Sequence, residues 1–248
     1  MFQRESRLGL KEVGSRLDKL RDEVLSHQIV RHPFLTALVS GRVTTDGIRL
    51  WVTQQFYFST QFPRCLGALF SRIEDYEASK LLVPFLNVEH WGSSSDGAHW
   101  KKFVKVLEFF DLDPAVLKNA EAFPETRRYL NYRLRVCANA TVEQGLGTIG
   151  FAHELINESI FAAYLAGMKT IPGIGGEALA YFRAHVADEP GDYLLFREIT
   201  LKIAQTSRAV SLVRKGALST LTARSRFFDC IMNRIARSGG LIPGARQP

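Results

Sequence analysis

The stretch Tyr181-Phe182-Arg183-Ala184-His185-Val186-Ala187-Asp188-Glu189-Pro190-Gly191-Asp192 sets carboxylates three, four and seven residues after a histidine. On an unbroken helix those offsets share one face. Upstream, Glu89, His99 and Glu154 each fall in a segment that reads as helix or helix end. Carboxylates and imidazoles converging from several helices are how a bundle holds iron or manganese. Pro190-Gly191 interrupts the pattern. A proline inside a helix removes a hydrogen bond and crowds the preceding turn. The reading is therefore a helix from Glu177 to Glu189 and another from Tyr193; if Pro190 itself begins the new helix, Asp188 becomes its N-cap.

Each candidate has a plainer alternative. Glu89 follows the largely apolar run Leu81 to Val88, where a buried carboxylate needs a cation or hydrogen bonds; a surface ion pair would serve equally. His99 opens a helix beside Trp100, and His90, adjacent to Glu89, points elsewhere because helix neighbours diverge. Glu154 and Glu158 share a face, with Glu158 the supporting or solvated acid. Gly150, one turn before Glu154, is expected to leave room beside it. His153 is a supporting or surface residue. Gln54, Gln55, Tyr57 and Tyr181 are expected to line a pocket as hydrogen-bonding groups, while Trp51, Phe56 and Phe58 belong to the core.

The elements that position these residues are helical nearly throughout, with no period-two strand pattern. Apolar spacing predicts helices over 6–30, a short one from His32-Pro33 to Ser40, and a long one over 48–73 kinked at Pro63. Further helices are expected over 78–90, 98–110, 124–140 and 141–168, where Gly145, Gly147, Gly150 and Ala152 permit close approach. Helices over 177–189, 193–215 and 217–238 complete the pattern. The fold class is all-α, a single domain over residues 1–248 of about seven main helices, with a frayed tail over 239–248.

Composition narrows the class. The 248 residues carry a net charge of +7 and 46% hydrophobic residues. Apolar runs are short and interrupted, so no membrane span is expected, and Met1 to Ser6 lacks an apolar signal core, which predicts a cytoplasmic protein. Cys65, Cys137 and Cys230 form no close pair in sequence and read as reduced thiols rather than a zinc site or disulfide framework. The basic residues of the last third, including Arg208, Arg214, Arg224, Arg226 and Arg234, are spaced along helices without a recognition motif. They read as a solvated face or a pocket for an anionic substrate rather than a nucleic-acid surface.

The order His32-Pro33-Phe34, Gly41, Leu50-Trp51-Val52, Gln55-Phe56-Tyr57-Phe58, Phe62-Pro63, Asn87-Val88-Glu89, Gly145-Leu146-Gly147, His153-Glu154, Tyr181-Phe182 and His185 resembles the haem-oxygenase-like superfamily. That superfamily includes pyrroloquinoline-quinone synthase, thiaminase II and diiron oxidases. The resemblance runs from His32 to the last helix. For the diiron branch it implies the ligand set Glu89, His99, Glu154, His185, Glu189 and Asp192, with Glu189 in an aspartate position and Asp192 in a histidine position. It implies ferrous iron, two ions per chain, with manganese as the substitute, O2 as co-substrate, a small amino-acid-like or fatty-acid-like substrate, an electron donor and a homodimer. Asp192 leaves open two metals, one or none. The synthase branch, which uses oxygen without a cofactor, carries an arginine where this chain has Gln55 and a histidine where it has Glu89. The thiaminase branch uses a cysteine nucleophile, for which Cys137 is the positional candidate. A metal-free binding protein on the same fold is the third reading.

Overall fold

The structure, a computed structural model, describes residues 6–91 and 99–242, with side chains throughout except at 90–91, 99–100 and 188–190. Among the described residues there are eleven α-helices, one π-helical segment, a short 3₁₀ turn and no strand. The all-α expectation holds; the expected seven took in only the main helices.

Helix α1 (Leu10–Leu25) buries Val13, Leu17, Leu20 and Val24 at three- and four-residue spacing. It starts later than the expected Ser6, because Leu8 N–H donates to the Gln205 carbonyl at 2.8 Å and Arg7 pairs with Thr206. Helix α2 (Pro33–Val39) begins where His32 Nδ1 accepts from Phe34 N–H at 3.1 Å and Pro33 occupies the first turn. Thr44 caps α3 (Thr45–Phe70), which continues through Pro63. Helices α4 (Tyr76–Trp91), α5 (His99–Phe109), α6 (Pro114–Asn119) and α7 (Pro124–Asn139) follow.

Residues 142–168 run as one rod in three parts: α8 (Val142–Leu146), the π-helical segment Gly147–Glu154, and α9 (Leu155–Met168). The small residues here serve helix contact. A Cβ on Gly147 would overlap the Val213 carbonyl, one on Gly216 the Gln144 carbonyl, and one on Gly150 would come within 2.5 Å of Phe196 Cβ. The expected room beside Glu154 is therefore occupied by Phe196.

Two helix boundaries differ from the expectation. Helix α10 (Gly176–Ile203) passes through Pro190-Gly191 without a break, so Asp188 is no cap. Proline in a helix costs about 3 kcal/mol. Burial of Tyr193, Phe196 and Ile199 beyond it, on a helix that already buries Phe182, offsets that cost at about 1.5–3 kcal/mol per large apolar side chain. The break comes instead at 204–206, where Thr206 caps α11 (Ser207–Arg237). Gly216 lies inside α11 as a packing point rather than at a helix junction. Residues 239–242 are held rather than frayed: Thr44 N–H donates to Gly240 O at 2.9 Å and Ile242 N–H to Arg42 O at 2.7 Å. Residues 243–248 lie outside the described ones. Among the described residues no helix is long and apolar enough to cross a membrane.

Two apolar clusters fill the bundle. The larger surrounds Trp51, Phe34, Phe161, Phe182 and Phe228. The smaller contains Phe62, Cys65, Leu69, Phe85, Cys137, Ile149 and Phe196.

Candidate functional site

A cavity of ≈ 40 Å³ lies among α3, α4, the π segment, α9 and α10. It has room for an ion with a few waters. Four of the predicted ligands line it: Glu89 from α4, Glu154 from the π segment, and His185 and Asp192 from α10. Because α10 is continuous, Asp192 stands two turns beyond His185 on the same face. The side chains of His99 and Glu189 lie outside the described residues.

The π geometry shapes one wall. All eight residues from Gly147 to Glu154 are buried, which a regular surface helix does not allow, and π turns recur at functional sites. Glu154 is 3% exposed and His153 5%. Glu154 Oε2 accepts from Asn157 Nδ2 at 3.4 Å. Asn157 Oδ1 in turn accepts from both terminal nitrogens of Arg224 at 3.4 and 3.5 Å, and Arg224 is 2% exposed. A buried guanidinium thus reaches the Glu154 carboxylate through one amide.

His185 Nδ1 lies 2.8 Å from the Tyr181 carbonyl, which can only accept. Nδ1 therefore carries the proton, and the lone pair sits on Nε2, the arrangement of a metal-binding or basic imidazole. The ring stacks on Phe161 at 4.1 Å. The Tyr181 hydroxyl sits 3.0 Å from Ser59 Oγ, and burial pushes its phenol well up, so it remains a neutral hydrogen-bonding group.

His153 is packed against Phe62 at 4.4 Å and Phe58 at 5.3 Å. Burial, then the charges of Arg224 and Arg133, hold it well below its ordinary value. It is a neutral wall of the cavity, not a surface histidine.

The other pocket candidates are not brought together there. Gln54 Oε1 accepts from Phe123 N–H at 3.0 Å and Thr126 Oγ1 at 2.7 Å, tying α3 to the start of α7. The Tyr57 hydroxyl donates to Leu117 O at 3.1 Å. Glu158 is exposed, on an outer groove whose wall also includes Glu154 and Tyr193. Gln55 is buried and hydrogen-bonds Tyr181. Cys137 is fully buried in the smaller cluster and does not line the cavity.

Sequence reasoning passed over Ser59, Asn157 and Arg224 as site residues. Asn157 had a signal, its place one turn after Glu154. Arg224 had one too: it shares a helix face with Ala217, Leu221 and Phe228, all fully buried or nearly so, and so is not part of a solvated basic face.

The donor chemistry fits a ferrous or manganous ion: three carboxylates and an imidazole with its other nitrogen tied to a carbonyl. Among the described residues, no three His, Cys, Asp or Glu side chains converge closely enough to hold an ion.

A family model described as TENA/THI-4/PQQC matches residues 21–157. The chain is similar to a pyrroloquinoline-quinone synthase of Rhizobium meliloti (strain 1021), 23% identical over 217 residues, 87% of this chain and 84% of that protein. It is also similar to a 4-aminobenzoate synthase of Chlamydia muridarum, 27% identical over 239 residues, 91% of this chain and 98% of the other. Among solved structures, a domain of unknown function with a haem-oxygenase-like fold from Shewanella denitrificans superposes with a TM-score of 0.70 at 15% identity, covering 97% of this chain and all of that one.

Proposed function

The chain belongs to the TENA/THI-4/PQQC family, and on that premise we propose that it is a non-haem iron-dependent oxidase or oxygenase acting on a small metabolite. The observation that carries the reading is that Glu89, Glu154, His185 and Asp192 line one small cavity. The names of the synthases it is similar to support an enzyme. Glu89, Glu154, His185 and Asp192 would hold the iron, joined by His99 and Glu189, with one or two ions per chain. Iron bound there would supply the activation of O2 and the redox change. An amino-acid-like or fatty-acid-like substrate, an electron donor and a homodimer complete the proposal.

The chain's own residues then have defined tasks. Asn157, itself held by Arg224, orients the Glu154 carboxylate. The Tyr181 carbonyl fixes the His185 tautomer. Phe58, Phe62 and Phe161 exclude water, and the Tyr181–Ser59 pair offers the cavity's neutral hydrogen-bonding edge.

A second reading is cofactor-free oxidation on the same scaffold, favoured by a small cavity in which no three described donors converge. Anaerobic titration with ferrous iron separates the two. The metal reading expects one or two irons per chain, with affinity falling on the order of tenfold to a hundredfold or more in His185→Ala while the far-ultraviolet circular dichroism is kept. Unchanged affinity in that variant removes the proposed ligand set, and absence of specific binding in the parent moves the cofactor-free enzyme to the front.

A further inference from the structure

Away from the cavity, Arg226 of α11 lines a groove shared with α7. Its volume is ≈ 520 Å³, within the roughly 300–1,000 Å³ of small-molecule sites. It has no lining residue in common with the cavity. The two helices run antiparallel: Arg234, near the end of α11, donates to Glu125 at the start of α7 at 3.0 Å, and further along Tyr129 stacks on Phe227 at 5.3 Å. Those two rings, both buried, form an apolar wall of the groove. Arg128 and Arg135 line it from α7, about 10 Å apart along the helix axis, with Tyr132 between them on the same face. All three arginines are exposed, and among the described residues none of them makes a salt bridge. Glu125 is the carboxylate among the lining residues, and Arg234 holds it. Asp229, the acid nearest to Arg226 along α11, lies 3.2 Å from His32 Nε2. The uncompensated charge along the groove is therefore of one sign. The larger groove beside α1 and α10 differs, for it is lined by as many carboxylates as cations. Positive charge gathered in a concave, partly apolar surface focuses its field and raises the local concentration of anions.

We propose that this groove binds a small planar organic anion carrying two or more negative charges, with Arg128, Arg135 and Arg226 meeting the charged groups and the Tyr129–Phe227 pair supplying the apolar wall. A guanidinium presents paired N–H donors that match carboxylate and phosphate oxygens alike, so either group satisfies the site. More than one charge is called for because the cations come from both walls of the groove. Ser219 and Tyr132 add hydroxyls along it, placed to hydrogen-bond the ligand's oxygens. The aromatic wall favours a ring over an open chain, through offset or edge contacts. The volume is that of a single small molecule rather than of a polymer's track. Cys230 also lines the groove and is half-buried, so its thiol reports on occupancy. Tyr129 stacks in turn on Phe58 at 6.1 Å, and Phe58 lines the cavity, so one layer of rings separates the two sites.

The test uses the full chain and two probes, adenosine 5′-monophosphate and benzene-1,4-dicarboxylate, which carry their charge on phosphate and on carboxylates. Isothermal titration calorimetry at low salt should give a single probe per chain with Kd below about 1 mM for at least one of them, weakening as added salt screens the arginines. The tighter probe names the source of the charge. Arg226→Gln and the double variant Arg128→Gln/Arg135→Gln should each weaken it by roughly tenfold or more. In the parent, bound probe should slow the alkylation of Cys230 by iodoacetamide severalfold; Cys65 and Cys137 are fully buried and do not compete. Failure of both probes to bind below about 1 mM overturns the proposal. So does adenosine, neutral with the same ring, binding as tightly as its monophosphate where that is the probe that binds, or an affinity unchanged in both variants. A Cys230 rate unchanged by bound probe places the anion elsewhere and overturns the assignment with no variant at all, so a poorly folding replacement does not rescue the idea.

Discussion

Arg224 and Arg133 both sit buried in the middle of long helices and both lie against the same Phe58 ring, at 5.5 and 4.1 Å from its centroid. Their charges are met differently. Arg224 reaches a carboxylate through Asn157, and that carboxylate, Glu154, faces the cavity. Arg133 meets one backbone carbonyl and aromatic faces. The first arrangement couples the scaffold's charge to the candidate site. The second leaves the charge to one carbonyl and to aromatic faces, among them the Phe58 and Phe62 rings that line the cavity.

The largest expected effect separates the two. Arg224→Met removes the cation opposite a buried carboxylate, and breaking such a pair costs about 3–5 kcal/mol. Arg133→Met removes a cation that has no carboxylate partner among the described residues and keeps an apolar stem of similar length, so its cost should be about 1–2 kcal/mol. Urea unfolding of both variants measures this. Equal losses, or a larger loss for Arg133→Met, would break the comparison.

A double-mutant cycle sharpens it. Glu154→Gln turns the carboxylate into a neutral amide, so in the Arg224→Met background it should cost far less than alone. The coupling energy is expected at about 1–3 kcal/mol. The same replacement paired with Arg133→Met should be additive to within about 0.5 kcal/mol. Strong coupling to Arg133 would mean that Glu154 neutralises both guanidiniums.

Much of this architecture was legible in the chain, and what was not has a common physical origin. Local chemistry could be read: His32-Pro33 caps α2, Thr44 caps α3, and the face of α1 follows three- and four-residue spacing. Features set by distant contacts could not. Pro190 reads as a stop because its lost hydrogen bond is local, whereas the burial of Tyr193 and Phe196 that carries α10 past it is tertiary. The π segment depends on Gly147 and Gly150 meeting α11 and α10. Gly216 resembles a helix end until the Gln144 carbonyl is known to lie against it. In the site, Glu89, Glu154, His185, Asp192 and Tyr181 were found because their residue types carry the chemistry. Arg224 and Asn157 were passed over because charge counted along a helix does not distinguish a solvated guanidinium from a buried one. Gln54 and Tyr57, polar among aromatics, looked like pocket groups and turned out to tie α3 to the start of α7 and to α6.

The smallest expected effect is a pH dependence set by Cys137 and, after it, by Arg133 and Arg64. Cys65 titrates lower in the folded chain than in the unfolded one, where a thiol has its ordinary value near ~8.5. As pH falls from ~8.5 towards about 6, the unfolded chain takes up the proton first, so stability falls with pH across that window. Cys137, pushed up by the same coupling, has the opposite sign: above ~8.5 the unfolded chain releases a proton the folded one keeps, and stability falls again. The parent should therefore be most stable near pH ~8.5, with a rising limb below it no steeper than about 1.4 kcal/mol per pH unit, the ceiling for one proton. The groups acting on Cys65 are Cys137, Arg133 and Arg64, with Arg72 acting on Cys137. The histidines lowered by burial, His27, His32 and His153, destabilise only below their ordinary value of about 6.5, so the interval from pH 7 to 8.5 isolates the thiols. Thermal unfolding across that interval should show the rising limb in the parent and in Arg224→Met, and a shallower one in Arg133→Met, where Cys137 and Arg64 still act. A limb left unchanged by the loss of Arg133 would mean that this guanidinium does not act on Cys65 and is offset by aromatic faces alone.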